Sequence, residues 1–291
     1  MYKRQLEGNF EGIGVQFNLL DDTLVVIQPT SKGPSEKAGI VAGDRIVSVD
    51  GSPIAGVKME RDSIMRRLRG PKGTKVTLGV VRRGVPELLT FRITRDKIPV
   101  NTVDAVYMIA PGVGYIHLDS FGATSGKEIH DAIAALTGEG MTSLILDLQM
   151  NGGGYLGAAA EVASEFLASG ALVVYTEGRT TPRQVLNARG GGLFRQGKLV
   201  VLVDEYTASA AEIVSGAIQD HDRGTIVGRR TFGKGLVQNQ FMLPDNSALR
   251  LTIARYYTPS GRSIQKEYVR GEGGKYEMDI LERYNLSLIH I

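Results

Sequence analysis

The sequence predicts two domains, a small β-rich one followed by a larger α/β layered one with a largely parallel sheet. Residues 11–96 contain short strand-like runs separated by turn signals such as Asp50-Gly51. The segment Ile98-Pro99-Val100 has the composition of a linker. Beyond it, strand-like and helix-like segments alternate, and this alternation is typical of an α/β layered domain.

The elements of the first domain follow from runs of apolar and β-branched residues and from helical spacing. Its predicted strands are Gly12–Phe17, Leu24–Ile27, Arg45–Val49, Lys75–Arg82 and Leu88–Thr94. Ser35–Ile40 and Met59–Arg69 are predicted to be helices. In the second helix Ile64 and Leu68 lie four residues apart, so they share one face.

The second domain contains five apolar runs that predict strands and three segments that predict helices. The predicted strands are Val113–Leu118, Ser143–Leu148, Leu172–Thr176, Lys198–Val203 and Thr225–Gly228, and the predicted helices are Ser125–Leu136, Tyr155–Ala168 and Ala208–Gln219. Gly235–Phe241 and Ala248–Tyr257 predict a closing β pair. We therefore divide the chain into a leading segment 1–10, domains 11–96 and 97–270, and a tail 271–291.

Composition narrows the class of protein. The 291 residues are 42% apolar and 22% charged, which is ordinary for a soluble globular protein. The absence of cysteine excludes disulfides, thiolate zinc sites and a cysteine nucleophile. A net charge of +3 is too small to indicate nucleic-acid binding. Glycine is the outlier, with 37 residues against an average share of about 7%, which indicates many tight turns or close backbone approaches.

The ends of the chain carry no targeting signal. No run of 18 apolar residues predicts a membrane-spanning helix, and the N-terminus lacks the apolar region of a signal peptide. Leu286–Ile291 has the form of a translated sequencing adapter, and Tyr2–Gln5 has the form of its reverse strand. We interpret the chain as a bacterial gene fragment and leave these residues out of the fold prediction.

A glycine-rich segment allows three interpretations. Gly152, Gly154 and Gly157 follow a predicted strand, open a predicted helix and precede Glu177, as in a dinucleotide-binding loop. Three residues separate the strand from the first glycine, however, and this weakens that interpretation. The loop could instead only turn the chain. In the third interpretation, its backbone N–H groups face a developing negative charge at a helix N-terminus.

Ser209 follows a buried strand by a short loop and enters the first turn of a predicted helix. Its small neighbours would leave room for a substrate backbone, although a serine there is usually a helix cap. Lys234 lies between Gly233 and Gly235, which would let the backbone pack closely and bury the amine. Burial favours a neutral lysine, and a neutral lysine can take the proton of a serine hydroxyl. Gln238 lies four residues on, so a strand would place it on the same face as Lys234.

These residues and their surroundings resemble the carboxyl-terminal processing protease family. The resemblance rests on the spacings of 25 and 4 that join Ser209, Lys234 and Gln238, and on several local motifs. These motifs are Lys198-Leu-Val-Val-Leu-Val-Asp, Ala208-Ser-Ala-Ala-Glu-Ile, Gly228-Arg-Arg-Thr-Phe-Gly-Lys-Gly-Leu-Val-Gln and Tyr257-Thr-Pro-Ser-Gly-Arg-Ser-Ile-Gln. Ala38-Gly39-Ile40-x-x-Gly43-Asp44-x-Ile46-x-x-Val49-Asp50-Gly51 resembles the PDZ domain of that family.

The resemblance implies a serine endopeptidase with a crotonase- or Clp-protease-like layered core, a Ser–Lys dyad, and no cofactor or metal. Ser209 would be the nucleophile, Lys234 the general base and Gln238 the residue that orients it. Asp220 matches an acidic position with a supporting role, and a surface acid at a helix end is the alternative. Such proteases act on proteins near their C-termini, usually in the bacterial periplasm or cell envelope, so protein or peptide substrates with free C-termini are the implied partners.

The glycine loop matches the oxyanion region of the family, so Gly153 or Gly154 would donate an N–H group alongside that of Ala210. The family usually has Arg-Asn-Asn-Pro-Gly-Gly after Asp-Leu, whereas this chain has Gln149-Met-Asn-Gly-Gly-Gly. The arginine and proline are therefore missing, which predicts a looser loop.

In the PDZ domain, the resemblance implies that a loop binds a substrate carboxylate through its N–H groups. This loop is Gly12-Ile13-Gly14-Val15. The peptide would add as a strand beside it, with Ile64 and Leu68 lining a neighbouring pocket. An ordinary turn is the alternative interpretation of these glycines.

Two other functions stay open at this point. The first is a PDZ peptide-binding protein whose protease core is incompetent, and the second is the dinucleotide-binding domain. The histidines favour neither metal binding nor a triad, because their spacing suggests no metal pair. They are His117, His130, His221 and His290.

Overall fold

A computed structural model describes residues 9–99, 101–245 and 247–269, together with residues 271, 274, 278 and 279. The described chain divides into two compact units on either side of residue 100. The adapter-like ends, residues 2–5 and 286–291, lie outside the described residues.

The first unit is built around an antiparallel sheet. Its strands are β1 Asn9–Gly12, β2 Val15–Leu20, β3 Thr23–Pro29, β4 Arg45–Val49, β5 Ser52–Pro53, β6 Lys75–Val81, β7 Leu89–Thr94 and β8 Asp96–Pro99, and its helices are α1 Pro34–Lys37 and α2 Arg61–Leu68. The main sheet has the order β2-β3-β4-β6-β7, with β5 paired to β4. β2 is therefore an edge strand, and its outer backbone groups face no neighbouring strand of this sheet.

Two predictions for this unit are wrong. In the predicted linker Ile98-Pro99-Val100, the first two residues are not a free linker, because β8 extends to Pro99 and pairs antiparallel with β1, and Val100 lies outside the described residues. Ile98 is fully buried as part of that pairing. The predicted strand Gly12–Phe17 is two strands, because the chain turns at Gly14 with φ +71°. Glycine enters this left-handed region without strain, which explains why the turn falls there.

The second unit contains nine strands and three helices among its described residues. The strands are β9 Val103–Ala110, β10 Val113–Leu118, β11 Ser143–Asp147, β12 Leu172–Glu177, β13 Gln184–Asn187, β14 Lys198–Val203, β15 Thr225–Gly228, β16 Leu236–Met242 and β17 Ala248–Tyr257, and the helices are α3 Ser125–Gly138, α4 Leu156–Ser164 and α5 Ala210–Asp220.

The central sheet of this unit has the order β15-β14-β11-β10-β9, with every pair parallel except β10 and β9. The largely parallel core is thus as predicted. One face of the sheet is fully apolar and packs with the helices in a single core, in which Ile116, Leu146 and Val201 are completely buried. Because the strands are parallel, the loops at the carboxyl ends of β11 and β14 lie at one edge of the sheet.

A second sheet, in the order β13-β12-β17-β16, is antiparallel throughout. Its β16 and β17 form the predicted closing pair. The assignment of Leu172–Thr176 to the parallel core is wrong, because β12 pairs with β13 and β17 instead. The register of the β16–β17 hairpin shifts between Val237 and Gln238, so the strand that follows Lys234 is irregular at its start.

Candidate functional site

Ser209 lies in the turn between β14 and α5, with φ +57° and ψ −113°. A positive φ is uncommon for a residue other than glycine, and such a conformation costs about 1–3 kcal/mol. The side chain of Ser209 is partly buried, whereas both neighbouring alanines are fully buried. The surrounding fold therefore holds one serine in a strained conformation at the carboxyl end of a parallel strand.

The glycine loop, residues Gln149 to Gly154, packs directly on this turn. A Cβ atom at Gly153 would lie 2.6 Å from the carbonyl oxygen of Ala208, 2.8 Å from Cβ of Ser209 and 2.9 Å from the nitrogen of Ala210. Such distances leave no room for a side chain, so glycine is required at this position. The structure thus brings together three residues that the sequence analysis grouped around one oxyanion.

The N–H groups near Ser209 differ in their partners. That of Gly153 donates to Oδ1 of Asn151 at 2.8 Å. Those of Ala210 and Gly154 have no hydrogen-bond acceptor among the residues that the structure describes. The unengaged N–H group of Ala210, next to Ser209 in the chain, is suited to stabilise a negative charge. Of the two glycines predicted as the second donor, Gly154 is the one whose N–H group is unengaged among the described residues.

Buried polar groups fasten the glycine loop to the Ser209 turn. Asp204 accepts a hydrogen bond from the N–H of Met150 at 3.0 Å, and the hydroxyl of Thr207 donates to the carbonyl of Leu148 at 2.8 Å. The N–H of Ala208 donates to the carbonyl of Asn151 at 2.9 Å. These hydrogen bonds fasten the two loops together, although the sequence analysis expects a loose glycine loop.

One buried carboxylate joins the Ser209 turn to the Lys234 loop, residues Thr231 to Gly235. Oε2 of Glu212 accepts the N–H groups of Ser209 and Lys234, both at 2.8 Å. Oε1 accepts the hydroxyl of Thr231 at 2.8 Å and the N–H of Gly233 at 2.6 Å. Glu212 is 5% exposed. Four hydrogen bonds to a single carboxylate fix the spacing between the two backbones.

The expected burial of Lys234 is wrong. Its neighbours Gly233 and Gly235 do pack closely, since a Cβ at Gly235 would lie 2.4 Å from the nitrogen of Gln265. The side chain of Lys234, however, is exposed. The backbone packs against residues 265 and 266 while the side chain lies outside that contact.

Gln238 is exposed, and its amide nitrogen is 3.5 Å from the hydroxyl of Thr252 on the paired strand. Lys234 precedes β16, which begins at Leu236. The alternation of a strand therefore does not extend from Gln238 to Lys234, and the orienting role of Gln238 stays a prediction.

Asp220 ends α5 and anchors a turn of the chain. Its carboxylate accepts the N–H of Ser260 at 2.9 Å and the hydroxyl of Ser260 at 2.7 Å, and it pairs with Arg262. Burial alone would raise the pKa of Asp220, but these hydrogen bonds and one from Thr258 outweigh it and lower the pKa to about 2. The side chain is 4% exposed. These contacts hold the segment that continues to residues 265 and 266, which pack against the Lys234 loop.

The proposed carboxylate-binding loop of the first unit is held from both sides. The carbonyl of Ile13 accepts the N–H of Ser35, and the carbonyl of Gly14 accepts the N–H of Thr30, both at 3.0 Å. Gly12 ends β1 and Val15 begins β2, so the loop leads straight into the edge strand.

The predicted peptide pocket of this unit is only partly supported. Ile64 and Leu68 are 1% and 4% exposed and belong to the apolar core. Val15 and Phe17 are partly buried, and the guanidinium of Arg61 lies 5.5 Å from the ring centre of Phe17. Val15, Phe17 and Arg61 therefore keep surface that a peptide beside β2 could reach, whereas Ile64 and Leu68 do not.

The topology contradicts the dinucleotide-binding interpretation. Such a loop needs the acidic residue at the end of the next parallel strand. Glu177 ends β12, which lies in the antiparallel sheet. Gly154 does not open the helix either, because it forms an isolated bridge with Phe121.

The described histidines are separate from one another. His130 contacts Glu165 at 2.9 Å, and His221 contacts the carbonyl of Leu172 at 2.7 Å. His117 contacts Asp104, and His290 lies outside the described residues. In the part of the chain that the structure describes, no group of three or more His, Cys, Asp or Glu side chains could hold a metal ion. Within the same residues, no helix is long and apolar enough to cross a membrane.

Comparison with known proteins assigns the fold. Residues 112–272 match the model of peptidase family S41, and residues 12–93 match that of the PDZ domain. The chain belongs to peptidase family S41. The predicted family is therefore confirmed, as is the predicted class of an α/β core preceded by a β-rich PDZ domain.

Relatives in family S41 align over most of the chain. The carboxy-terminal-processing protease of Bartonella bacilliformis is 37% identical over 263 residues, which are 89% of this chain and 60% of that protein. The carboxyl-terminal-processing protease of Synechocystis sp. is 38% identical over 264 residues, which are 89% of this chain and 61% of that protein. The chain thus spans about three-fifths of the length of these curated relatives.

A solved structure gives the same result. The photosystem II D1 C-terminal processing protease is 33% identical with a TM-score of 0.53, and the alignment covers 91% of this chain and 72% of that one. At this identity and score, the likeness extends to the arrangement of the elements in both units.

The sequence analysis missed Glu212. A detectable signal was present, because Ser209 followed three residues later by glutamate is the pattern of a capping box. The strained φ of Ser209 had no such signal, since no local pattern favours a serine in the left-handed region.

Proposed function

We propose that this chain is the PDZ and catalytic part of a serine endopeptidase that cleaves protein substrates near their C-termini. The observation that carries the proposal is the strained Ser209, which lies against Gly153 and is followed by the unengaged N–H group of Ala210, in a chain of peptidase family S41. Similarity to carboxyl-terminal-processing proteases supports the substrate class.

The proposed reaction uses Ser209 and Lys234. The neutral amine of Lys234 takes the hydroxyl proton while Oγ of Ser209 attacks the scissile carbonyl carbon. The N–H groups of Ala210 and Gly154 would stabilise the oxyanion, a contribution for which each donor is typically worth a factor of about 10²–10³ in turnover. Collapse of the intermediate expels the amine product, which receives the proton from Lys234. Water then hydrolyses the acyl-enzyme with Lys234 again as the base.

Because the side chain of Lys234 is exposed, the proposal must also explain how its amine becomes neutral. An amine in water stays protonated at neutral pH, so it cannot act as a base until water is removed from around it. We propose that the bound polypeptide covers Lys234 and supplies the desolvation. Gln238 would then exchange its contact with Thr252 for one with the lysine amine.

The experiment compares Ser209→Ala, Lys234→Ala and the double variant by hydrolysis of an unfolded protein substrate. Each single change should reduce turnover by at least about 10³-fold, and the double variant should lose little more, because residues of one catalytic unit are not additive. Lys127→Ala, on the exposed part of α3, is the matched lysine control and should retain full activity. Additive losses in the double variant would reject the dyad.

The PDZ unit is proposed to read the substrate C-terminus. A peptide would add as a strand to the open edge of β2, with its carboxylate at the Gly12–Val15 loop. In titrations with the Ser209→Ala chain, amidation of the peptide C-terminus should weaken binding by about 1.5–3 kcal/mol, the range for a hydrogen bond to a charged group. Equal affinities for acid and amide would refute carboxylate reading. Ile64 is unsuitable for such a test, since its burial makes any polar substitution a test of folding.

A second function, peptide binding without cleavage, is favoured by the exposed Lys234 alone. It predicts that the wild-type chain binds C-terminal peptides and hydrolyses none of them. Hydrolysis that Ser209→Ala abolishes would decide against it.

We also propose, from the resemblance to the family, that the full protein acts in the periplasm or cell envelope. Fractionation of the source cells with an antibody to this chain would test the proposal. Recovery in the cytoplasm alone would reject it.

A further inference from the structure

His117 lies at the carboxyl end of β10, beside the start of the glycine loop. Its Nδ1 is 2.5 Å from Oδ1 of Asp104 on β9, and its Nε2 is 3.4 Å from the carbonyl oxygen of Gln149. The imidazole therefore faces two hydrogen-bond acceptors, one on each nitrogen. The side chain is 23% exposed, so water has limited access to it.

Only one protonation state satisfies both acceptors. A neutral imidazole carries one N–H group, so either Asp104 or the Gln149 carbonyl would face a nitrogen lone pair. The imidazolium donates from both nitrogens. His117 can therefore donate hydrogen bonds to both Asp104 and the carbonyl of Gln149 only while its ring is charged.

The backbone of Gln149 is also held at its amide nitrogen. Its N–H donates to Oδ1 of Asp147 at 2.9 Å, and the hydroxyl of Tyr115 donates to Oδ2 of the same carboxylate at 2.6 Å. Asp147 is buried. His117 and Asp147 together fix the orientation of the first residue of the glycine loop, four residues before Gly153.

We propose that charged His117 is a positioning residue, which holds the glycine loop against Ser209 through the carbonyl of Gln149. The end of the loop is held separately, because the N–H of Gly153 donates to Asn151 at 2.8 Å and its carbonyl accepts the N–H of Phe121 at 3.0 Å. His117 acts at the beginning of the loop, where the carbonyl of Gln149 sets the direction in which the chain enters it. The inference rests on the proposed function only for its effect on turnover.

The groups that face His117 favour its charged form. Burial by itself lowers the pKa of His117, but the hydrogen bond and charge of Asp104 raise it, and the Gln149 carbonyl and the charge of Asp147 add to the increase. The net pKa lies above the ordinary value. Tyr115 is the other titratable neighbour, and its own pKa is raised by burial and by Asp147, so it stays neutral.

The raised pKa of His117 sets the direction in which pH affects the loop. A raised pKa in the folded state means that the contact is complete at pH values below the ordinary histidine pKa of about 6.5. The contact is lost as the pH rises through the raised pKa. The loop should therefore loosen on the alkaline side.

The first test is an NMR titration of the full chain, labelled with ¹⁵N, which needs no catalytic activity. His117 should keep both N–H groups to a pH above the ordinary histidine pKa of about 6.5. The amide resonance of Gly153 should shift with the same midpoint as His117. Asp104→Asn removes the charge at an exposed position and should lower both midpoints together, whereas His117→Arg should remove the pH dependence of the Gly153 amide.

The inference would be overturned if the Gly153 amide resonance did not shift at the His117 midpoint. It would also be overturned if Asp104→Asn lowered the midpoint of His117 and left that of the Gly153 amide unchanged. The second test is the pH profile of protein hydrolysis. Turnover should fall about tenfold through the His117 midpoint, and His117→Arg should abolish that decrease. If the midpoints of His117 and Gly153 coincide but the chain hydrolyses no protein, the inference stands and the proposed function is rejected.

Discussion

The two sides of the proposed dyad are built in different ways. On the Ser209 side, the backbone is strained, the neighbours are buried, and Asp204 and Thr207 fasten the glycine loop in place. On the Lys234 side, Glu212 and the flanking glycines fix the backbone, but the side chain is exposed. In the proposed reaction, the protein would preorganise the part of the site where negative charge develops. The environment of the base is left for the substrate to complete.

The largest effect on stability is expected at Glu212, because its carboxylate is shared by both sides. Glu212→Gln keeps the shape but replaces one acceptor oxygen by an NH₂ group that cannot accept the N–H groups now bonded to it. At about 1–3 kcal/mol for each unsatisfied buried donor, the free energy of unfolding should fall by roughly 3 kcal/mol. Turnover should fall as well, by at least about 100-fold.

Urea unfolding and protein hydrolysis measure the two effects of this change. Glu139→Gln, at the exposed end of α3, is the control and should match the wild type. A Glu212→Gln variant with wild-type stability would mean that the two backbones hold their spacing without the carboxylate.

The Ser209 side should also be sensitive at Gly153. An alanine there would place Cβ within 2.9 Å of three atoms of the Ser209 turn, at a φ of +93°. We expect a loss of about 2 kcal/mol in stability and of at least about 100-fold in turnover, since the loop must move away from Ser209. Gly152→Ala is the matched control, because no atom lies within 4 Å of its added Cβ. Equal effects of the two alanines would contradict the close packing of the loop.

On the Lys234 side, Asp220 should contribute stability that depends on pH. Its folded pKa of about 2 is lowered from the ordinary value, so its contribution is complete above about pH 4 and is lost as the pH falls towards 2. Asp220→Asn should lower the free energy of unfolding by about 1–2 kcal/mol at pH 6 and by almost nothing at pH 2. Urea unfolding at both values measures the gap. A gap that stays constant with pH would assign the loss to packing instead.

The smallest effect on stability is expected at Gln238. The residue is exposed, so Gln238→Ala should change the free energy of unfolding by less than about 0.5 kcal/mol. If Gln238 orients the amine in the bound state, turnover should nevertheless fall about tenfold. Gln240→Ala is the control, since Gln240 lies two residues along the same strand and is equally exposed. Equal turnover in the two variants would remove Gln238 from the mechanism.

Much of the fold could be predicted because hydrophobic patterns report burial. Val113–Leu118 and Lys198–Val203 are found as strands with only small changes at their ends. The same patterns do not report which strands are neighbours. The apolar run at β12 looks like a strand of the parallel core, yet it pairs in the antiparallel sheet, since its partners are fixed by the path of the chain.

The residues that form the candidate site could be predicted from the sequence, but their geometry could not. The spacing of Ser209, Gly153 and Ala210 in the sequence leads to one location, as the packing of Gly153 shows. Exposure of Lys234 was not predictable, because glycine neighbours bring backbones together without deciding where the intervening side chain goes. The conformation of the Lys234 loop depends on the packing of Gly233 and Gly235 against residues 265 and 266, which lie about 30 residues further along the chain.

The positive φ of Ser209 matters for the choice of an inert form of the chain. Alanine removes the hydroxyl but retains a Cβ atom in a conformation that disfavours it, whereas glycine removes both. Glycine would relieve about 1–3 kcal/mol of backbone strain in the folded state. This matches or exceeds the roughly 1 kcal/mol by which the greater conformational entropy of glycine stabilises the unfolded chain. The glycine form should therefore melt at the same temperature as the alanine form or higher. In the proposed reaction, the hydroxyl of Ser209 is the reason for a serine at this position, at a cost in backbone strain that glycine would not carry.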